Sequence, residues 1–166
     1  MRLLLDTNLL RRLCHPSSHA DVQAWYRRWI NHGLAGGDVE FVISAVADYE
    51  LRRGYMYALS QRNDARQSLS QLDELCGLWE VQQISLRNLR DAAAMWADAR
   101  RKGTSTASDR DVDWDILIAA QAKEMAERTK GVRVVVVTNN AKHLKVHGAD
   151  AKDWHELPAP EDTRSA

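Results

Sequence analysis

The stretch Arg2-Leu3-Leu4-Leu5-Asp6-Thr7-Asn8 joins a short apolar run to a carboxyl, a hydroxyl and an amide side chain. An apolar run of this length that does not alternate with polar residues is typical of a strand buried on both faces. Two further runs are of the same kind, Glu40–Ile43 and Arg133–Val137, and the second contains four consecutive valines, which favour strands. We therefore predict a mainly parallel sheet whose faces are covered by helices.

Apolar residues at helical spacing fill the segments between these runs. They predict helices over residues 21–34, 45–59, 64–79, 86–102 and 113–128, with Ser44 as the N-cap of the second helix. Weaker strands are predicted at 79–84 and 151–154. The alternation of strands and helices indicates an α/β fold. We expect one domain over residues 1–157, a mobile loop at 103–111 and a flexible C-terminal tail at 158–166.

Composition limits the possible partners. The 166 residues include 23 basic and 23 acidic side chains, so the formal net charge is zero and a nucleic acid would have to be bound by local basic patches. Cys14 and Cys76 form neither a disulfide framework nor a close pair of metal ligands. No apolar run is long enough for a signal peptide or a membrane span, and we expect a soluble cytoplasmic protein with no membrane partner.

Three acidic residues occupy informative places. Asp6 ends the first predicted strand, Glu50 lies in the helix after the second strand, and Asp115 opens the helix that begins near Asp113. Ligands of open α/β sheets gather at the carboxyl ends of strands. Carboxylates forced together raise each other's pKa unless a cation joins them, and Mg²⁺ prefers such oxygen ligands. The pattern therefore indicates metal-assisted phosphodiester chemistry.

Each acid also has a structural interpretation. An Asp at the end of a strand is often a turn residue or a cap. Asp113 and Asp115 can favour a helix N-terminus through the helix dipole. Glu50 can be a solvated charge or the ion-pair partner of Arg53. The joint pattern, rather than any one acid, favours a functional site.

Four motifs in order resemble those of PIN domains. Leu3–Leu10 resembles the opening of the family, and Ser44–Leu51, which reads S-A-V-A-D-Y-E-L, resembles its second motif. Asp115–Ala122 resembles the third motif and Val137–Asn140 the fourth, and Trp154 fits a tryptophan often found near the end of the family's domain. This resemblance implies a PIN-like three-layer α/β/α fold with a mainly parallel central sheet.

Among PIN domains, the motifs most resemble those of VapC-type toxins of bacterial type II toxin–antitoxin pairs. The resemblance implies an endoribonuclease that depends on Mg²⁺ or Mn²⁺ and cleaves RNA. It also implies a cognate protein antitoxin that blocks the site, and a homodimer.

The motif positions assign roles to individual residues. Asp6, Glu50 and Asp115 correspond to the catalytic acids and metal ligands of the family. Thr7 and Asn8 correspond to side chains that support the turn at Asp6, and Asn8 would order a metal-bound water.

Two motif positions leave questions open. Asp113 is either a further ligand or the N-cap of its helix. In the fourth motif, which contains Thr138, many relatives carry an acid at or just after the position of Asn140. This chain has Asn139 and Asn140 there, and His143 stands where some relatives have an acid. An amide oxygen such as that of Asn140 can still bind Mg²⁺, but without charge.

Basic residues near the motifs are candidates for RNA binding. Arg11 and Arg12 follow the first motif, Arg52 and Arg53 follow Glu50, and the aromatic Trp114 lies beside the acids. Arginines here could bind phosphates, with a solvated helix surface as the alternative.

Two other functions remain as alternatives. A PIN-like module that holds RNA or protein without cleaving is favoured by the amides of the fourth motif. An aspartyl-phosphate phosphatase usually needs a second Asp two residues after the first, where this chain has Asn8.

Overall fold

A computed structural model describes residues 1–15, 17–33, 39–61, 65–103 and 113–157. The predicted tail at 158–166 and all but the first residue of the predicted loop at 103–111 lie outside these ranges, as do positions 34 and 64 at the ends of two predicted helices.

The sheet is parallel throughout the part of the chain that the structure describes. Its five strands lie in the order β3-β2-β1-β4-β5. In the central strand, Leu4 lies opposite Val42 on one side and Val136 on the other. The bounds are β1 Arg2–Leu5, β2 Glu40–Ser44, β3 Glu80–Gln82, β4 Val134–Thr138 and β5 Ala151–Asp153. The predicted parallel sheet is confirmed.

Seven α-helices connect and cover these strands in the described ranges. They are α1 Thr7–Leu13, α2 Ala20–Arg28, α3 Ala45–Ser60, α4 Arg66–Leu78, α5 Leu86–Arg101, α6 Trp114–Arg128 and α7 Ala141–Val146. Helix α2 continues as a π-helix over Trp29–Gly33, so the predicted helix from residue 21 changes its hydrogen-bonding register partway. Helices α1 and α7 were not predicted, because six or seven residues carry too little periodicity.

The central sheet separates two apolar layers. On one face, Leu3 and Leu5 pack with Phe41 and with two buried tryptophans, Trp25 and Trp29. On the other face, Leu4 packs with the buried side of α6 and with α5 and α7. Successive residues of a strand point to opposite faces, which explains why Leu3, Leu4 and Leu5 are all fully buried. The predicted three-layer α/β/α fold is confirmed.

A buried polar contact ties α6 to the sheet. The Ser44 hydroxyl donates to Oε1 of Gln121 at 2.5 Å, and Nε2 of Gln121 donates to the Gln82 carbonyl at 2.7 Å. Ser44 also caps α3, as predicted, by accepting from the Val46 amide at 3.1 Å. Because a buried polar group left without a partner costs about 1–3 kcal/mol, this contact holds the middle of α6 against the ends of β2 and β3. No helix in the described ranges is long and apolar enough to cross a membrane.

Candidate active site

The predicted acids meet at a cavity of about 650 Å³ beside the carboxyl ends of the central strands. Strands β1 and β4 are paired with Leu5 opposite Val137, so the residues that follow them emerge side by side. The second and third turns of α3 and the first turn of α6 face the same place. The polar residues that line the cavity are Asp6, Thr7, Asn8, Arg11, Glu50, Tyr55, Asp113, Trp114, Asp115 and His143.

Asp6 is held by hydrogen bonds to both carboxyl oxygens. Its Oδ1 accepts from the Thr7 amide and its Oδ2 from the Thr138 hydroxyl, each at 2.6 Å. The side chain is the N-cap of α1 and is buried. Burial raises the pKa of Asp6, and the Thr138 hydrogen bond opposes that rise. Asp6 therefore has a single fixed orientation in a poorly solvated place.

Thr7 connects two of the acids. Its backbone amide donates to Asp6, whereas its hydroxyl, which belongs to the side chain that the motif assigned to the Asp6 turn, donates to Oε2 of Glu50 at 2.6 Å. Sequence motifs assign Thr7 to the turn and carry no sign of the second contact, because Glu50 belongs to a different segment. The hydroxyl fixes the orientation of the Glu50 carboxyl group.

The pKa of Asp115 reflects both its burial and the charges that surround it. Burial, followed by the negative charges of Asp6 and Asp113 and then of Glu50, raises the pKa of Asp115 to about 6, while His143 opposes the shift. Nδ1 of His143 lies 3.5 Å from Oδ2 of Asp115. Carboxylates from three separate segments therefore act on one another at this place.

Asp113 has the capping geometry that was one of its two predicted roles. Its Oδ1 accepts from the Ile116 amide at 3.2 Å, and it also lines the cavity. Capping therefore accounts for part of what Asp113 does, and its charge still acts on Asp115.

The fourth motif contributes through Thr138 rather than through its amides. Thr138 donates to Asp6, and its oxygen accepts from the Asn140 backbone amide at 2.9 Å. Oδ1 of Asn139 is buried and has no hydrogen-bond partner among the residues described. Asn140, a candidate ligand from sequence, is not among the lining residues, whereas His143 is. The cavity thus receives an imidazole from this segment.

The arginines that the sequence proposes for RNA binding differ in their surroundings. Arg11 lines the cavity and donates to Oδ1 of Asn8 at 3.4 Å, whereas Arg12 is not a lining residue. Arg52 bonds to Asp48 at 2.8 Å and to Asp73 at 2.7 Å, so its guanidinium is occupied. Arg53 lies against aromatic rings near the cavity rather than forming the ion pair with Glu50 that the sequence allowed.

A divalent ion at this site would take its protein ligands from the acids of the cavity. In the described ranges, no three His, Cys, Asp or Glu side chains form a ready-made ligand group for a metal. Mg²⁺ is usually held by one or two carboxylates together with waters and substrate phosphates, so it does not require such a group. The acids are hard oxygen donors, and their mutual repulsion at Asp115 is what a cation would relieve. The residues fit Mg²⁺ or Mn²⁺ in the kind of ligand atom that they offer.

Sequence reasoning missed several residues of the cavity. Tyr55 faces it from one turn beyond Leu51, and its hydroxyl lies 3.3 Å from Nε2 of His15. His143, which the sequence marks as standing where some relatives carry an acid, lies in the short helix α7, and this helix was not predicted. In the sequence, its position three residues after Asn140 is the feature that could have placed His143 at the cavity.

A parallel sheet between two helical layers, with acids at the carboxyl ends of its central strands, defines a PIN-like α/β/α fold. Solved structures share it. VapBC-1 from nontypeable Haemophilus influenzae matches with a TM-score of 0.68 and 17% identity, over 93% of this chain and 99% of that chain.

Two further structures match over the same 93% of this chain. A DNA-bound VapBC from Salmonella typhimurium gives a TM-score of 0.66 with 21% identity over 98% of its chain. VapBC2 from Rickettsia felis, bound to a DNA fragment from its promoter, gives 0.64 with 23% identity over 99% of its chain. Neither a protein-family model nor a curated protein sequence matches. The resemblance to VapC-type proteins is confirmed at the level of the fold.

Proposed function

We propose that this protein is a metal-dependent endoribonuclease of the VapC toxin type. The observation that carries the proposal is the meeting of Asp6, Glu50 and Asp115 at one cavity, where burial first, and then the charges of the neighbouring acids, raise the pKa of Asp115 to about 6. Like charges brought together in a cleft raise each other's pKa. Acids with such perturbed pKa values are concentrated at functional sites.

The three acids would have different roles. Asp6 and Asp115 would hold the Mg²⁺ or Mn²⁺ ion, and Glu50 would position the ion or the attacking water. When bound, such an ion neutralises negative charge on a phosphodiester and lowers the pKa of water.

The chain's own groups prepare this chemistry. The hydroxyls of Thr138 and Thr7 hold Asp6 and Glu50 in fixed orientations before substrate arrives. Arg11 brings a positive charge to the wall of an otherwise acidic cavity, where it can contact a phosphate of the RNA backbone. Preorganised groups of this kind lose little free energy to reorganisation when the reaction occurs.

Metal removal is the direct test of the proposal. We expect the purified protein to cleave single-stranded RNA with Mg²⁺ or Mn²⁺, to stop when EDTA is added, and to resume when excess Mg²⁺ is restored. Product formation on a denaturing gel measures this. Cleavage that continues undiminished in EDTA would contradict the proposal.

The hydroxyl of Thr7 allows a finer test. Thr7→Val keeps the shape of the side chain but removes the donor to Glu50, so we expect cleavage to fall about 10- to 100-fold, as when a group that orients a metal ligand is removed. Thr129→Val removes a comparable hydroxyl contact, to the Met125 carbonyl, away from the cavity and serves as the control. Equal rates in the two variants would show that Thr7 does not act through Glu50.

A module that binds RNA or protein without cleaving is the second candidate. Two observations favour it: the absence of a ready-made three-ligand group among the described residues, and the amides of the fourth motif. Tight retention of RNA with no cleavage in Mg²⁺ or Mn²⁺ would establish this alternative.

The proposed partners follow from the resemblance to VapC-type proteins. The similar solved structures carry the name VapBC, and two of them contain DNA. We propose that this chain acts in the cytoplasm as a homodimer and is inhibited by a cognate protein antitoxin that covers the cavity. Co-expression with the product of the neighbouring reading frame, followed by size-exclusion chromatography with light scattering, tests both partners.

A further inference from the structure

Two aromatic side chains meet beside the acids. Tyr49 immediately precedes Glu50 in α3, and Trp114 immediately precedes Asp115 in α6. Their ring centroids are 5.6 Å apart with the planes tilted by 44°. The aromatic pair is therefore one residue removed from two of the candidate catalytic acids.

A guanidinium lies over both rings. The Arg53 Cζ atom is 5.6 Å from the Tyr49 centroid and 5.8 Å from that of Trp114, within the range of cation–π attraction. No carboxylate of the described residues pairs with Arg53, whereas its neighbour Arg52 is bonded to two. The charge of Arg53 therefore remains available to an anionic ligand.

The pair is open to an incoming ligand. The Tyr49 side chain is 51% exposed, and Trp114 is half-buried and lines the cavity. Trp114 also packs against the core with its inner side, which holds the ring in place. A held ring with an accessible side, next to a cation, is the arrangement on which proteins stack unpaired bases.

We propose that Tyr49, Arg53 and Trp114 form a subsite for an unpaired nucleobase next to the phosphodiester held at the acids. This inference rests on the proposed function and specifies its substrate: a single-stranded RNA segment with an unstacked base. Arg53 would contact the same nucleotide through its base face or its phosphate. The subsite would tolerate all four bases, since each has a π-face.

A second copy of the chain is the competing occupant of this surface. Met56 and Tyr57 lie two turns further along α3 and are exposed, which extends an apolar face away from the cavity. Only the Tyr49 end carries the stacked arginine and adjoins the acids. This position favours the nucleobase, and Tyr57 provides a matched control on the same helix.

The experiment measures binding in the Asp6→Asn background with Mg²⁺, so that RNA is not consumed. Fluorescence anisotropy compares a short single-stranded RNA with a fully abasic ribose-phosphate strand of the same length. We expect Trp114→Ala and Tyr49→Ala to weaken RNA binding about 10-fold, from the usual strength of base–aromatic stacking, and to leave the abasic strand unaffected. Trp114→Phe should retain most of the affinity, and Tyr57→Ala should change neither measurement.

Two results would overturn the subsite. One is an equal loss on both strands, which would mean that the rings do not contact bases. The other is unchanged RNA binding together with a change in oligomeric state in both Tyr49→Ala and Tyr57→Ala, which would assign the face to a second copy. Base-dependent binding by a protein that cleaves no RNA would instead support the subsite and contradict the nuclease function. The failure of the subsite and the failure of the proposed function therefore give different results.

Discussion

Asp6→Asn is expected to reduce metal-dependent RNA cleavage about 10³-fold, because it removes a charge that holds the ion and several kcal/mol of charge stabilisation with it. The fold should survive. The asparagine oxygen can still accept from the Thr7 amide, and its NH₂ group can donate to the Thr138 hydroxyl oxygen in place of the present bond. The substitution also removes a charge from a desolvated place.

The measurement for Asp6 is initial-rate cleavage of a labelled RNA at saturating Mg²⁺, with far-UV circular dichroism as the check on folding. Asp21→Asn, which changes an exposed acid in α2, is the matched control and should cleave at the unmodified rate. A folded Asp6→Asn protein that cleaves within a few-fold of that rate would remove Asp6 from the site.

Asp115→Asn is expected to abolish cleavage and, at the same time, to stabilise the metal-free protein at neutral pH. The pKa of Asp115 is raised from 3.8 to about 6, so the folded state favours the protonated carboxyl group. The stabilisation from this group is complete below the unfolded pKa and is lost as pH rises through about 6. Above that pH the ionised group opposes folding.

The expected gain in the free energy of unfolding is on the order of 1–2 kcal/mol, less than the full shift implies, because solvent screens a partly exposed carboxylate. Urea denaturation in EDTA from pH 4 to 7.5 measures it: unmodified protein should lose stability across this range relative to Asp115→Asn. Adding Mg²⁺ at pH 7.5 should stabilise the unmodified protein more than the variant. A variant that is less stable than the unmodified protein throughout would show that Asp115 is an ordinary structural acid.

The sequence predicted the strands and the long helices more accurately than the short helices. Strands β1, β2 and β4 are continuous apolar runs, and α3 and α6 are long and periodic, so each was recognised close to its observed bounds. Helices α1 and α7 were missed, although they carry Arg11 and His143 to the cavity. Short helices depend on contacts with the rest of the fold rather than on their own periodicity.

The site was predicted unevenly for a related reason. Asp6, Glu50 and Asp115 were identifiable because each stands at a strand end or in a recognisable motif. The pairing of the Thr7 hydroxyl with Glu50 was not, because it depends on the relative positions of α1 and α3. The difference between Arg52 and Arg53 was also invisible in sequence, since the partner Asp73 comes from α4.

The order of apolar runs and acidic motifs by itself determined that this protein has a parallel α/β fold and which carboxyl groups stand near its strand ends. Only the tertiary structure decided which hydroxyls orient those groups and which arginine is left for a ligand. The reason is physical: backbone patterning depends on neighbours along the chain, whereas hydrogen bonds and charge effects depend on ångström distances between segments far apart in sequence.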